Sequence, residues 1–212
     1  MATAQRRALI TAGPTREPLD PVRFLSNASS GRQGLALAEE ALARGYAVDL
    51  VHGPMEVVPP AGAHAVSVTT AAEMLAACRE LHPASSVFIG AAAVSDFRPR
   101  ESSTHKRKRD DSAWVIELVP TLDILAILGH EKGPRVHAGF ALETDDLIRN
   151  ALWKLRAKRL DWIVANSPEA IGATSGHYVL LGADGTQQDL GQATKQDLAR
   201  ALFNALEGLR VT

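Results

Sequence analysis

The sequence predicts an α/β fold built on a doubly wound, mostly parallel sheet, and three observations predict it. Short apolar runs bounded by glycine or proline alternate with longer segments of helical period, the pattern of helices laid on both faces of a parallel sheet by right-handed crossovers. The first run, residues 8–12, breaks at Gly13 and Pro14 into a polar loop that reaches a helical pattern near Gly34, a strand–loop–helix unit of the Rossmann-like kind. Residues 97–112, which include RPRESSTHKRKRDDS, are too charged to pack as core and read as a flap or hairpin inserted beside that unit.

The elements follow in order. Residues 8–12 form a buried central strand. From Gly34, Leu35, Leu37, Ala38, Ala41 and Leu42 keep helical spacing until Gly45, a good residue just past a helix end. Residues 47–51 give a second strand and 65–68 a short third. Thr70 and Glu73 make a capping box for a helix to about Leu81. Residues 87–93 read as a buried strand ending in three alanines, which leave room for a flat ligand where open α/β sheets bind one, or for close helix packing. Beyond the flap, residues 114–119 alternate as a strand, Thr121 caps a helix to Gly129, and 136–140 form another strand. Thr144, with Asp145 and Asp146 in the first turn, starts a helix ending near Lys158. Residues 161–165 are a strand, 178–181 a hairpin arm turning at Asp184 and Gly185, and Thr194 caps a final amphipathic helix that reads as structural.

Composition narrows the function. The chain of 212 residues is long enough to bury a core without disulfides, and nothing divides it, so residues 1–212 read as one domain. With Lys plus Arg at 23 and Asp plus Glu at 24, there is no general attraction to nucleic acid or membrane, and any phosphate site must be a local gathering of cations. The single cysteine, Cys78, falls among apolar helix positions and reads as a buried structural thiol, in keeping with a reducing compartment. The N-terminus lacks the apolar core of a signal peptide and no run approaches the roughly 20 apolar residues of a spanning helix, so a cytoplasmic location is expected.

The chemistry begins at the first loop. Ser26, Asn27, Ser29, Ser30 and Gly31 lead into a helix whose first N–H groups suit an anion such as a nucleotide phosphate, Gly31 and Gly34 allow close approach, and Arg32 adds charge. A G-x-x-G spacing also matches many ordinary loops. Asn27 could donate to a developing oxyanion or serve as a loop or cap residue. Lys106, Arg107, Lys108 and Arg109 read as a solvated loop or as a lid that brings charge to a phosphate. Taken by themselves, Asp96 reads as a turn before Pro99, Phe140 as a core aromatic, and Glu143 as a turn or cap residue. Lys154 and Lys158, four apart on one helix face, could meet one triphosphate or end a solvated helix.

Two strings, TAGPTREPLDPVR at residues 11–23 and SNASSG at 26–31, resemble the phosphopantothenate–cysteine ligase family, the second half of the bifunctional flavoprotein of coenzyme A biosynthesis. Lys106 to Arg109 resembles its K-x-K-K motif, AAAVSDFRP its A-A-V-A-D segment, AGFALET its G-F-A-A-E-T motif, and the lysines its A-x-x-K-L-x-x-K. PTLDILA departs from N-P-D-I-L in local order, and after Asn166 the chain reads SPEAIGATSG without the usual Asp and Asn. The resemblance implies ligation of 4′-phosphopantothenate to L-cysteine through an acyl-nucleotide, with Asn27 and Lys106 catalytic. It implies a nucleotide site of Gly13, Ser30, Gly31, Ala92, Asp96, Lys106, Asp123, Ile124, Phe140, Lys154 and Lys158. The co-substrate would be CTP, or ATP as in some stand-alone relatives, with Mg2+, in a homodimer. With seven or so residues ahead of the first strand, a separate decarboxylase is expected to act next.

Two other functions compete. A nicotinamide-dependent reductase fails because the second strand ends VDLVHG without an acidic tip, and neither Tyr46 nor Tyr178 has a lysine four places on. A non-catalytic nucleotide-sensing module derived from the same fold stays open, and pyrophosphate release would separate the two.

Overall fold

The computed structural model describes residues 5–167 and 173–209. The chain opens with β1 (Arg7–Ala12), a small hairpin of β2 (Arg16–Pro18) and β3 (Phe24–Ser26), then α1 (Arg32–Ala43). β4 (Ala47–His52), β5 (Ala63–Ser67), α2 (Ala71–Leu81) and β6 (Val87–Gly90) follow. A second small hairpin pairs β7 (Phe97–Pro99) with β8 (Leu118–Pro120), and α3 (Ile124–His130), β9 (Val136–Leu142), α4 (Leu147–Ala157) and β10 (Trp162–Asn166) come next. The described chain closes with β11 (Ser175–Gly182), β12 (Gln187–Thr194) and α5 (Lys195–Gly208).

Eight strands form one sheet in the order β12-β11-β10-β9-β6-β1-β4-β5. From β5 to β10 all pairings are parallel, and β11 and β12 add an antiparallel edge. The parallel strands, counted along the chain, thus lie 3-2-1-4-5-6, the doubly wound order whose direction reverses between β1 and β6. β1 is buried on both faces because helices cover both. Ala8, Ile10 and Ala12 pack with α1 and α5, whereas Leu9 packs with Met74, Cys78 and Phe88 beneath α2 and α3. α4 covers Ala141, Ile163 and Ala165 on the α2–α3 side of the sheet.

Most expected elements are present, and the differences have local causes. The run 87–93 ends as a strand at Gly90, because Ala93 turns away to bridge Pro14. Residues 114–119 do not form a full strand: only residues 118–120 pair, with β7, so the charged flap spans the connection 100–117. α3 is capped by Asp123, whose carboxylate accepts from the Ala126 N–H at 3.0 Å, and not by Thr121, whose hydroxyl donates to the Ser95 carbonyl. α4 starts after Asp146, three residues later than a Thr144 start, and the Thr144 hydroxyl donates to Asp145. The capping boxes at Thr70 and Thr194 form, the latter with Asp197. Cys78 is fully buried, and burial pushes its thiol up to about 12, as expected of a structural residue.

Two features of this core are directly testable. A Cβ at Gly34 would stand 2.3 Å from the Ala12 Cβ, so the first turn of α1 lies against the end of β1 only because residue 34 has no side chain. Gly34→Ala should lose about 1–3 kcal/mol in urea denaturation, as overpacked cores do. His82 and His137 face each other with their Nε2 atoms 2.9 Å apart, and burial holds His137 down to about 3 and lowers His82 as well. Since an unfolded histidine titrates near 6.5, the unfolded chain binds more protons below that pH. Stability should therefore fall from pH 6.5 toward 4, by up to about 1.4 kcal/mol per pH unit for His137. Urea midpoints measured across that range should flatten in His137→Gln.

Candidate active site

A cleft of about 540 Å³ opens at the carboxyl edge of the sheet, where the strand order reverses. Its floor is Gly90 and the chain from Ala91 to Val94, which the small side chains keep low. One wall comes from α3 and α4, on one side of the sheet, and carries Asp123, Ile124, Lys154 and Lys158. The other comes from α1 and α5 and carries Arg32, Gln33 and Lys195.

Local bonding sets the loop between β1 and α1. Gly13 leaves β1 with φ 72°, and its carbonyl accepts from the Ala93 N–H at 2.9 Å, joining the two strand ends at the reversal. The Ser26 hydroxyl donates to the Thr15 carbonyl at 2.7 Å, bringing the hairpin back to the cleft. Gly31 precedes α1 at φ 77°, a conformation glycine adopts without penalty, and no side chain caps the helix. The start of α1, which lines the cleft, is therefore left without a side-chain cap, the arrangement that suits an anion.

All the residues expected in the site line the cleft except Gly13 and Lys106. Gly13 lies beneath the loop, its Cα 3.4 Å from where a Cβ of Gly31 would stand. Lys106 is exposed and apart from the cleft, for a reason visible next to it. The Arg107 N–H donates to Asp20, the Arg107 carbonyl accepts from Arg23, and the guanidinium groups of both arginines lie over Trp114. That anchorage holds the flap against the first hairpin.

Asn27 lines the cleft but does not offer its N–H groups to it. Its Nδ2 donates to the carbonyls of Ala93 and Val94, at 3.2 and 3.0 Å, which fixes the amide with Oδ1 turned the other way. The expected donation to an oxyanion is thus already spent in this state. Lys154 pairs with Glu143 at 2.6 Å and Lys158 with Asp123 at 2.9 Å, so Glu143 is an ion-pair partner and not a turn residue. Asp96, exposed at the floor, makes no ion pair among the described residues.

A scan of known families matches residues 3–209 to the DNA/pantothenate metabolism flavoprotein C-terminal domain. The chain belongs to that family. It is 40% identical over 209 residues to the coenzyme A biosynthesis bifunctional protein CoaBC of Bacillus subtilis, across 96% of this chain and 52% of that protein. It is also 50% identical over 174 residues to a cysteine/cysteine sulfinic acid decarboxylase from an unknown prokaryotic organism, across 81% of this chain and 48% of that one. The chain thus spans about half the length of the curated relatives it matches. The crystal structure of the C-terminal domain of a coenzyme A biosynthesis bifunctional protein CoaBC superposes with a TM-score of 0.84 at 38% identity, covering 96% of this chain and 95% of that one. The family's fold is therefore this fold, mostly parallel sheet included.

Family motifs did not single out Gln33, Tyr178 or Lys195, which also line the cleft. Lys195 stands in the first turn of α5, where burial and then the nearby Arg32 charge lower its pKa. Its helix reads in sequence as structural, and only the placement of α5 beside α1 discloses it. The segment after Asn166 that departs from the family pattern lies partly outside the described residues, at 168–172. Replacing Asn27 by Asp would set a carboxylate against two carbonyls; nucleotide affinity should fall by about 10- to 100-fold, the scale of 1.4–3 kcal/mol for an unmade charged contact, in calorimetric titrations.

Proposed function

We propose that this chain joins 4′-phosphopantothenate to L-cysteine at the expense of a nucleoside triphosphate, CTP in the first instance, in coenzyme A biosynthesis. The observation that carries the reading is the cleft at the strand reversal, which gathers the 27–31 loop, Asp96 and the two lysines of α4 beside an uncapped helix start. Arg32, Lys154, Lys158 and Lys195 line it against Asp96 and Asp123, a local excess of cations in a chain of net charge −1. Relatives that bear the name of coenzyme A biosynthesis support the same assignment.

The chemistry divides into two displacements. The substrate carboxylate attacks the α-phosphorus and pyrophosphate leaves; the cysteine amine then attacks the acyl carbon, the nucleoside monophosphate leaves, and a proton is lost from nitrogen. The protein's part is positioning and charge. Lys154 and Lys158 exchange their carboxylate partners for phosphate oxygens, and the α1 N-terminus takes a further phosphate oxygen. Asn27 ties the loop to the floor where the carboxylate is expected to lie, and Lys106 comes into play when the flap leaves its Arg107 anchorage.

Among the described residues no cluster of three or more His, Cys, Asp or Glu could hold a metal. Mg2+ keeps its waters and would ride on the triphosphate with one or two carboxylates; Asp96, which lines the cleft, would be one of them, and the ion would neutralise phosphate charge. Val22, Phe24, Phe97, Val115 and Leu118 are exposed on the two small hairpins and the flap, which supports a homodimer. No helix among the described residues is long and apolar enough to cross a membrane; the reading also takes the protein as cytoplasmic, with a decarboxylase acting on its product.

Purified protein should release pyrophosphate from CTP or ATP only when 4′-phosphopantothenate is present. Lys106→Gln should still bind nucleotide but release pyrophosphate at least about 100-fold more slowly, the scale for losing one preorganised electrostatic group. Binding without any substrate-dependent release would replace the ligase by a nucleotide-sensing module.

A further inference from the structure

Between β6 and β7 the chain runs from residue 91 to 96 without regular structure, carries the cleft floor and ends in Asp96. Such a connection is ordinarily among the more mobile parts of a fold. Here its backbone is pinned group by group. The carbonyls of Ala93, Val94, Ser95 and Asp96 each accept a hydrogen bond, and the N–H groups of Ala92, Ala93 and Ser95 each donate one.

Two threonines far apart in the chain grip the end of this segment. The Thr15 hydroxyl accepts from the Ser95 N–H at 2.9 Å, the Thr121 hydroxyl donates to the Ser95 carbonyl, and the Thr121 N–H donates to the Asp96 carbonyl at 2.9 Å. Thr15 is wholly buried and is itself tied down, its N–H donating to the Ala93 carbonyl and its carbonyl accepting from the Ser26 hydroxyl. Ser95 is buried too, and its own hydroxyl has no partner among the described residues, so the residue is fixed through its backbone. The Asp96 carboxylate, by contrast, is exposed at the cleft and makes no hydrogen bond or ion pair among the described residues. A backbone held on both sides under a side chain left free is the arrangement of a group kept for a ligand, since only the side-chain torsions remain to be ordered on binding. Both grips need a hydroxyl. Valine has the shape of threonine but neither accepts nor donates, and at residue 15 it would leave the Ser95 N–H without its acceptor.

We infer that Thr15 and Thr121 are positioning residues, which hold Asp96 where its carboxylate meets the nucleotide and its Mg2+. The inference rests on the part given to Asp96 above and adds the two residues through which that part is performed. Neither threonine needs to touch the ligand. A carboxylate on a pinned backbone meets its target without the cost of ordering the chain beneath it, and loosening that chain forfeits the advantage.

The test is calorimetric titration of the whole chain with CTP in the presence of Mg2+, repeated with ATP and arranged as a double-mutant cycle. Asp96→Asn should weaken binding about 10-fold or more, the scale for a contact to a charged group. Thr15→Val and Thr121→Val should each weaken it about 3-fold or more while the Asp96 carboxylate is present, and by less than about 2-fold once Asp96→Asn is in place, the non-additivity of residues that act through one group. Thr15→Ser and Thr121→Ser, which keep the hydroxyl, should stay within about 2-fold of wild type. Thr121 is half-buried at the edge of the cleft and gives the same reading should Thr15→Val fail to fold by circular dichroism. Equal losses with and without the Asp96 carboxylate, or serine variants as weak as the valine ones, would overturn the inference and leave Asp96 its part. Unchanged affinity in Asp96→Asn would remove that part and the inference with it, and failure of both CTP and ATP to bind would remove the nucleotide reading as a whole.

Discussion

The cleft depends on how closely the first turn of α1 lies on the end of β1. Gly34 sits against Ala12 where a methyl group would collide, and Gly31, just before it, takes a left-handed backbone that leaves the helix start open. Move the helix outward by the width of a methyl group and its start draws away from the end of β1, and with it from the cleft whose floor Ala91 to Val94 provide. The carbonyl of Gly13 and the amide of Asn27 lock that floor from the other side. The open helix start is thus a product of packing at the strand reversal, and the polar residues of the loop line a gap that glycines create.

The ligand-free lysines show how such a site keeps its charges ready. Lys154 and Lys158 are held by Glu143 and Asp123, each acid supplied by a neighbouring element. Partly exposed pairs of this kind contribute little stability, but they fix long side chains that would otherwise lose rotamer entropy on binding. Asp123 also caps α3, so the acid nearest Lys158 is itself positioned by backbone. On the proposed reading, each lysine would exchange its carboxylate partner for a phosphate oxygen without rebuilding the wall.

Much of this was legible in the sequence, and what was not has physical reasons. The parallel strands could be read because burial on both faces demands unbroken apolar runs, α2 because its capping box announces it, and α5 because Thr194 precedes an amphipathic period. Caps decided by tertiary contacts were misplaced: Thr121 looks like a cap, but its hydroxyl is drawn to Ser95, and Asp123 takes the role. The alternation in residues 114–119 suggested a longer strand, but only its end finds a partner. In the site, loop and lysine motifs identified most of the lining because their polar residues lie close in sequence. Gln33, Tyr178 and Lys195 meet only through the packing of α1, β11 and α5, a juxtaposition no local pattern encodes. Lys106 shows the converse, a motif residue that the anchorage of Arg107 keeps away from the cleft in this state.

The docking of α5 on α1 has a consequence for how the protein is made. Arg6, at the start of the first strand, and Arg44, at the end of α1, both pair with Glu207 near the close of α5, and the Lys195 backbone carbonyl holds Gln33. The wall that begins at residue 32 is therefore finished by residues that leave the ribosome more than a hundred and sixty positions later. During synthesis the apolar face of α1, with Leu37, Ala38 and Ala41, can pack on β1 and β4 but must wait for α5 to complete its cover. Part of that face thus stays open to misassembly until the chain is nearly complete, and the α1–α5 wall of the cleft is among the last parts of the fold to close.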